Sequence, residues 1–221
     1  MDISFGGPIF GSRGIGPWRR TRATMCQAAA EYAGRWGWPV ALGAAAPERP
    51  VGRGPVDDGA ALAPGAGPAE AQRALAGGGC AALLLPLGGC FDLLDVPEEA
   101  GRRAMVRLER MGTRLGPVLA SPTRRALFFV APGAAEALPE LLYKTGWDDA
   151  ALDLAGHGAG GWVAAPPTVL AGQGPMRWLL PPGEGTALRP PEARLLLGTL
   201  AYACHRGHEP VGSGAGAGWV S

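Results

Sequence analysis

The stretch Cys80-Ala81-Ala82-Leu83-Leu84-Leu85-Pro86-Leu87-Gly88-Gly89-Cys90-Phe91-Asp92-Leu93-Leu94-Asp95-Val96 decides how the rest of the chain is read. Its two apolar runs, Cys80–Leu85 and Phe91–Val96, have the length of strands. The Pro86-Leu87-Gly88-Gly89 segment between them predicts a turn, so the pair is expected as adjacent strands of a hairpin. Both faces of the pair are largely apolar. Neither is a membrane span, because the richest segment is bounded by Gly77-Gly78-Gly79 and Gly88-Gly89 and falls well short of the ~20 residues a bilayer requires.

Working toward the carboxyl terminus, Pro97 sets the first turn of a helix. Glu98 and Glu99 stand at the positive end of its dipole. Ala104, Leu108, Met111 and Leu115 step by four, three and four and predict one buried stripe, with Arg102, Arg103, Arg107, Glu109 and Arg110 as a solvated face. Gly116-Pro117 is expected to end this helix. Strands are predicted at Val118–Ala120 and Ala126–Ala131, a helix at Ala134–Lys144, and short strands at Ala151–Leu154, Trp162–Ala165 and Arg177–Leu180. A final helix at Glu192–Arg206 has Leu195, Leu196, Thr199, Leu200 and Ala203 on its predicted core side.

Toward the amino terminus, Thr24 is placed to cap a helix reaching Trp36, where Gly37 stops it. A strand at Trp38–Leu42 and a weak helix near Ala69–Ala76 follow. Strands and helices alternate irregularly, which favours an α+β fold over a doubly wound parallel sheet. The first 22 residues read as a flexible arm carrying Arg19, Arg20 and Arg22. Residues 23–206 read as one domain, and 207–221 as a disordered, glycine-rich tail.

The charge balance of 20 basic against 19 acidic residues argues against a wrapper of nucleic acid, which needs a clear excess of positive charge. Only Lys144 among the basic residues is a lysine. The cysteines at 26, 80, 90 and 204 form no CxxC pair and no secretory leader is legible, so a reduced, cytoplasmic protein is expected.

Four segments in order resemble the amino-terminal primase-polymerase domain of the archaeo-eukaryotic primase superfamily, of the type found in actinobacterial replication proteins, phages and plasmids. They are Ala28–Ala33 with Gly37-Trp38-Pro39-Val40, then Cys80–Val96, Thr123–Val130 and Leu152–Pro167. The resemblance implies a split RRM-like α+β module with a mixed or antiparallel sheet and flanking helices. It also implies two divalent cations, Mg²⁺ or Mn²⁺, joining a nucleoside triphosphate to a primer, with clustered carboxylates as hard oxygen ligands. Asp95 and Asp153 match the family's carboxylates and are the expected catalytic and metal-binding pair.

The departures from the family pattern set the functional expectation. Where the family has two aspartates at i and i+2, this chain reads Asp95-Val96-Pro97. Asp92 is no substitute, since an offset of three puts it on the opposite face of a strand. Where active members have Gly-Arg-His, the register reads Arg124-Arg125-Ala126, so alanine is expected at the histidine position. Catalysis is therefore expected to be impaired. Nucleotide or single-stranded DNA binding through Arg124, Arg125 and His157 is expected to remain, or a protein partner supplied in trans. An active nucleotidyltransferase with a rearranged metal site and a non-enzymatic scaffold are the alternatives. Cys204, His205 and His208 lack a fourth ligand for zinc, and the seven tryptophans are expected mainly in the core.

Overall fold

The two apolar runs that were expected to pair with each other instead belong to different sheets. In the computed structural model, which describes residues 17–54, 60–77 and 79–208, they are β4 (Ala82–Pro86) and β5 (Asp92–Pro97). Before them come α1 (Pro17–Ala30), β1 (Val40–Gly43), β2 (Val51–Arg53), β3 (Ala61–Leu62) and α2 (Pro68–Ala76). After them come α3 (Glu98–Arg110), β6 (Val118–Ala120), β7 (Arg125–Val130), α4 (Ala134–Lys144), β8 (Ala155–His157) and β9 (Gly161–Ala165). The order ends with β10 (Val169–Leu170), β11 (Gly174–Pro175), β12 (Arg177–Leu180) and α5 (Arg194–His208).

One five-stranded sheet has the order β2-β9-β4-β1-β3 and the other the order β12-β6-β7-β5-β8. Every pairing is antiparallel, and β10-β11 form a small ribbon. The reason the hairpin fails lies in burial. Strands this apolar on both faces are most stable in sheet interiors, and each of them has found two neighbours: β4 lies between β9 and β1, and β5 between β7 and β8. The link turns from one sheet to the other at Gly88, whose φ of 90° suits glycine, and an added Cβ there would come within 2.5 Å of Ala159.

The second sheet is covered on both sides. Leu93, Leu119, Leu127 and Phe129 join the first sheet, α1 and α2 in one core. Leu94, Val96, Val118, Ala126, Phe128 and Val130 join α3, α4 and α5 in the other. An aromatic cluster ties the first of these together. Phe91 and Phe129 have ring centroids 4.4 Å apart, and Trp38 lies 5.5 Å from Phe129. The Trp178 indole donates to the Tyr32 hydroxyl, which donates to the Pro166 carbonyl at 2.7 Å. Burial raises the Tyr32 phenol above its ordinary pKa, against the lowering effect of the Trp178 hydrogen bond.

Several expectations need correction. The first helix begins at Pro17, not at a Thr24 cap, because proline is well suited to the first helical turn. It continues through a π-helical turn, Glu31–Arg35, that ends before Gly37. Residues 1–16 and 209–221 lie outside the described part, while 207 and 208 belong to α5. Helix α3 ends at Arg110, and Gly112, with a φ of 70°, turns the chain away. Gly116 serves close packing, since a Cβ there would meet the Phe129 carbonyl oxygen at 2.4 Å. Met111, just past the helix, is therefore exposed, and Ala100 and Gly101 join Ala104 and Leu108 on the buried side. On α5 the inward residues are Leu196, Leu197, Leu200 and Ala203, and Leu195 faces out. The strand predicted at 151–154 forms instead at Ala155–His157. Among the described residues no helix is long and apolar enough to cross a membrane.

Candidate functional site

Alternation along β5 and β7 sorts their side chains onto two faces. On β7, Arg125 shares the face of Leu127 and Phe129, between the sheets. Ala126 shares the face of Phe128 and Val130, under the helices. Ala126 is fully buried, and a Cβ on Gly101 of α3 would lie 2.7 Å from its own. Ala126, expected to face the site, therefore points away from it, into the core under the helices. The residue β7 directs at the site is Arg125.

Arg125 stands opposite Pro97 in the β5–β7 ladder and Asp95 opposite Leu127, so the two are diagonal neighbours on one face, within reach of a long side chain. Arg125 Nε donates to Asp95 Oδ1 at 2.7 Å. Its Nη1 donates to both oxygens of Asp153, at 2.8 and 2.7 Å. His157, opposite Leu93 on β8, places Nε2 3.1 Å from Asp95 Oδ2. Four of the five expected site residues, Asp95, Arg125, Asp153 and His157, are brought together. Arg125 and Asp95 are mostly covered, with side-chain exposures of 22% and 13%, while Asp153 is open at 45%.

Burial alone would lower the Arg125 pKa. The hydrogen bonds and charges of Asp153 and Asp95 outweigh it and raise the guanidinium above its ordinary value. Asp153 is anchored from behind by Cys204 of α5, whose thiol donates to the Asp153 carbonyl at 3.7 Å. That thiol is pushed up to about 11, first by burial and then by the Asp153 charge. Cys204 therefore supports the site from behind, and His205 packs its ring against Trp147.

The fifth residue, Arg124, is separate. It occupies the tip of the β6–β7 hairpin with φ at 61°, in the left-handed region, held by its N–H to the Ser121 carbonyl and by its carbonyl to the Glu98 N–H. It lines a groove of about 500 Å³ with Glu98, Glu99, Arg102, Ser121, Pro122 and Arg177. Glu98 and Glu99 do not reach back to the aspartates. Glu98 takes Arg102 and Arg177, and Glu99 takes Arg103. Arg22 lines a different groove, between α1 and α2. Arg22 and Arg124 thus line separate grooves, and Arg125 turns to the carboxylates.

Sequence reading missed the role of Asp92. It lies on the helix side of β5, 1% exposed, and its Oδ2 accepts the Ala135 N–H at 2.9 Å. It caps α4 from another strand, where Gly133 has no side chain to do so. The faint signal was an aspartate inside an apolar strand followed much later by a helix starting at Gly133.

The chain matches the family described as bifunctional DNA primase/polymerase, N-terminal, over residues 29–193, and it belongs to that family. No curated protein and no solved structure matches it. The family implies divalent cations at Asp95 and Asp153, and the donor set tests that implication. Both oxygens of Asp95 and both of Asp153 are already engaged, by Arg125 and His157. Among the described residues no three His, Cys, Asp or Glu side chains are grouped to hold a metal ion. A two-metal centre needs several free carboxylate oxygens, so these residues in this arrangement do not fit one.

Proposed function

We propose that this chain is a primase/polymerase-type domain whose nucleotidyl transfer is impaired and whose retained role is contact with nucleotides or single-stranded DNA. The observation that carries the first half is the single Arg125 guanidinium bonded to both Asp95 and Asp153. Phosphoryl-type transfer depends on cations that stabilise attacking and leaving oxygens together, and here the carboxylates that would hold them are neutralised from within. Any Mg²⁺ or Mn²⁺ binding at this pair is weak. The sheet β12-β6-β7-β5-β8, antiparallel with helices packed on one face, is read as the RRM-like half of the module.

Contact with phosphates falls to Arg124 in its groove, where Arg102 and Arg177 are paired with Glu98. Arg125 is held by the aspartates, and His157 by Asp95. With a net charge of +1 the affinity is modest and salt-dependent, log K falling by about 0.7 per phosphate contact on a single strand. Such a role suits a cytoplasmic protein working beside a partner supplied in trans.

The test is primer synthesis and extension with Mg²⁺ or Mn²⁺, run alongside single-stranded DNA binding at two salt concentrations. Extension at background level, with binding that weakens in salt and in Arg124→Ala, is the expected result. Robust extension abolished by Asp95→Asn would establish an active enzyme instead. Absence of DNA and nucleotide binding at low salt would leave a scaffold.

A further inference from the structure

We infer that Arg125 is a built-in cation that assembles this site in place of a divalent ion, so that Asp95 and Asp153 are held together by an arginine and not by a metal. The inference rests on the reading of the site given above and extends it from catalysis to assembly.

Three features of the geometry carry it. The guanidinium uses two different edges: Nε serves Asp95 and Nη1 serves both oxygens of Asp153, at 2.7–2.8 Å. A planar, permanently charged fork is suited to two carboxylates in a way that a compact ammonium is not. The base of the side chain is fixed as well. Ser121 N–H donates to the Arg125 carbonyl, and the Arg125 N–H reaches Ser121 Oγ at 3.4 Å. Finally, Asp153 has no strand to hold it, since β8 begins only at Ala155, yet its carboxylate is placed on Arg125. The position of that segment is tied to the guanidinium in front and to Cys204 behind.

Mass action favours the arginine. A tethered cation acts at an effective concentration set by its own chain and never leaves, whereas a free ion must displace it and shed its own water. Removing the guanidinium would leave two carboxylates facing each other at a half-covered surface, where like charges disfavour each other's ionised form.

The experiment is thermal unfolding of the full chain in EDTA and in millimolar Mn²⁺. It compares the wild type, Arg125→Ala, Asp95→Asn/Asp153→Asn, and the triple combination. The wild type is expected to melt at the same temperature in both buffers. Arg125→Ala is expected to melt roughly 5–10 °C lower. The triple variant should regain at least half of that loss, because the charges Arg125 compensates are gone. Strict additivity of the arginine and aspartate substitutions would overturn the inference, since it would mean that Arg125 acts only through packing of its stem. So would a saturable rise in wild-type melting temperature with Mn²⁺ that Asp95→Asn abolishes. If Arg125→Ala does not fold, Arg125→Met keeps the stem without the charge, and the same cycle is read from it. Primer extension by the wild type would sink the functional reading whatever the melting data show, whereas additivity sinks this inference alone.

Discussion

Asp92 and Asp95 sit three residues apart on one strand and live in different worlds. On the helix side, Asp92 is closed off from solvent and answers a backbone N–H at the start of α4, where the helix dipole also favours its charge. On the inter-sheet side, Asp95 answers side chains, Arg125 and His157. The same residue type is architecture on one face and part of an adjustable charge network on the other. Backbone donors cannot move without unfolding the helix, while side-chain partners can be exchanged. The helix face of the second sheet should therefore punish substitution through stability, and the inter-sheet edge through charge and binding.

The hardest blow to that comparison comes from Phe128, fully packed under α3 on the helix side. Phe128→Ala is expected to cost about 3–5 kcal/mol of unfolding free energy, measured by urea titration. A loss below 1 kcal/mol would mean the helix side is not the rigid face.

The next test sets the two aspartates against each other. Asp92→Ala leaves the half-buried Ala135 N–H without its acceptor, and a loss of about 2 kcal/mol is expected. Asp95→Asn keeps an acceptor for Arg125, which also keeps Asp153, so about 1 kcal/mol is expected. Matched urea titrations decide the order. If Asp95→Asn proved the more damaging, the division into rigid and adjustable faces would have to be reversed.

Much of the fold could be read from the chain. The spans of α4, β6 and β12 match the structure residue for residue, because a helical or alternating apolar pattern ends there at glycine, proline or charge. Pairing could not be read. The five-residue link from Pro86 to Cys90 between the two apolar runs suits a hairpin, and only the three-dimensional competition for neighbours sends β4 and β5 into different sheets. At the site, Asp95 and Asp153 were legible through resemblance. Which way the β7 side chains face was not, because Arg124 and Arg125 look alike until alternation is anchored by the packing of Ala126 against Gly101. Arg124's left-handed φ was likewise hidden, since arginine rarely adopts it.

The smallest expected effect sharpens the boundary between the two faces, at Glu98, the first residue of α3. Burial works against its charge, but hydrogen bonds from Arg177 and Arg102 outweigh burial and hold its carboxyl below the ordinary carboxylate range. A carboxyl whose pKa is lower folded than unfolded adds stability above the unfolded value, and that stability is lost as pH falls through the folded one. Glu98→Gln should therefore cost a constant ~0.5–1 kcal/mol from about pH 8 down to about pH 5, typical of a partly exposed ion pair. Below about pH 4.5 the gap between variant and wild type should close, because the wild type is then losing the same charge. Urea midpoints across that range measure it. A gap that widens in acid would show that Glu98 acts as a buried acid and not as the anchor of Arg102 and Arg177, and the groove beside Arg124 would have to be redrawn.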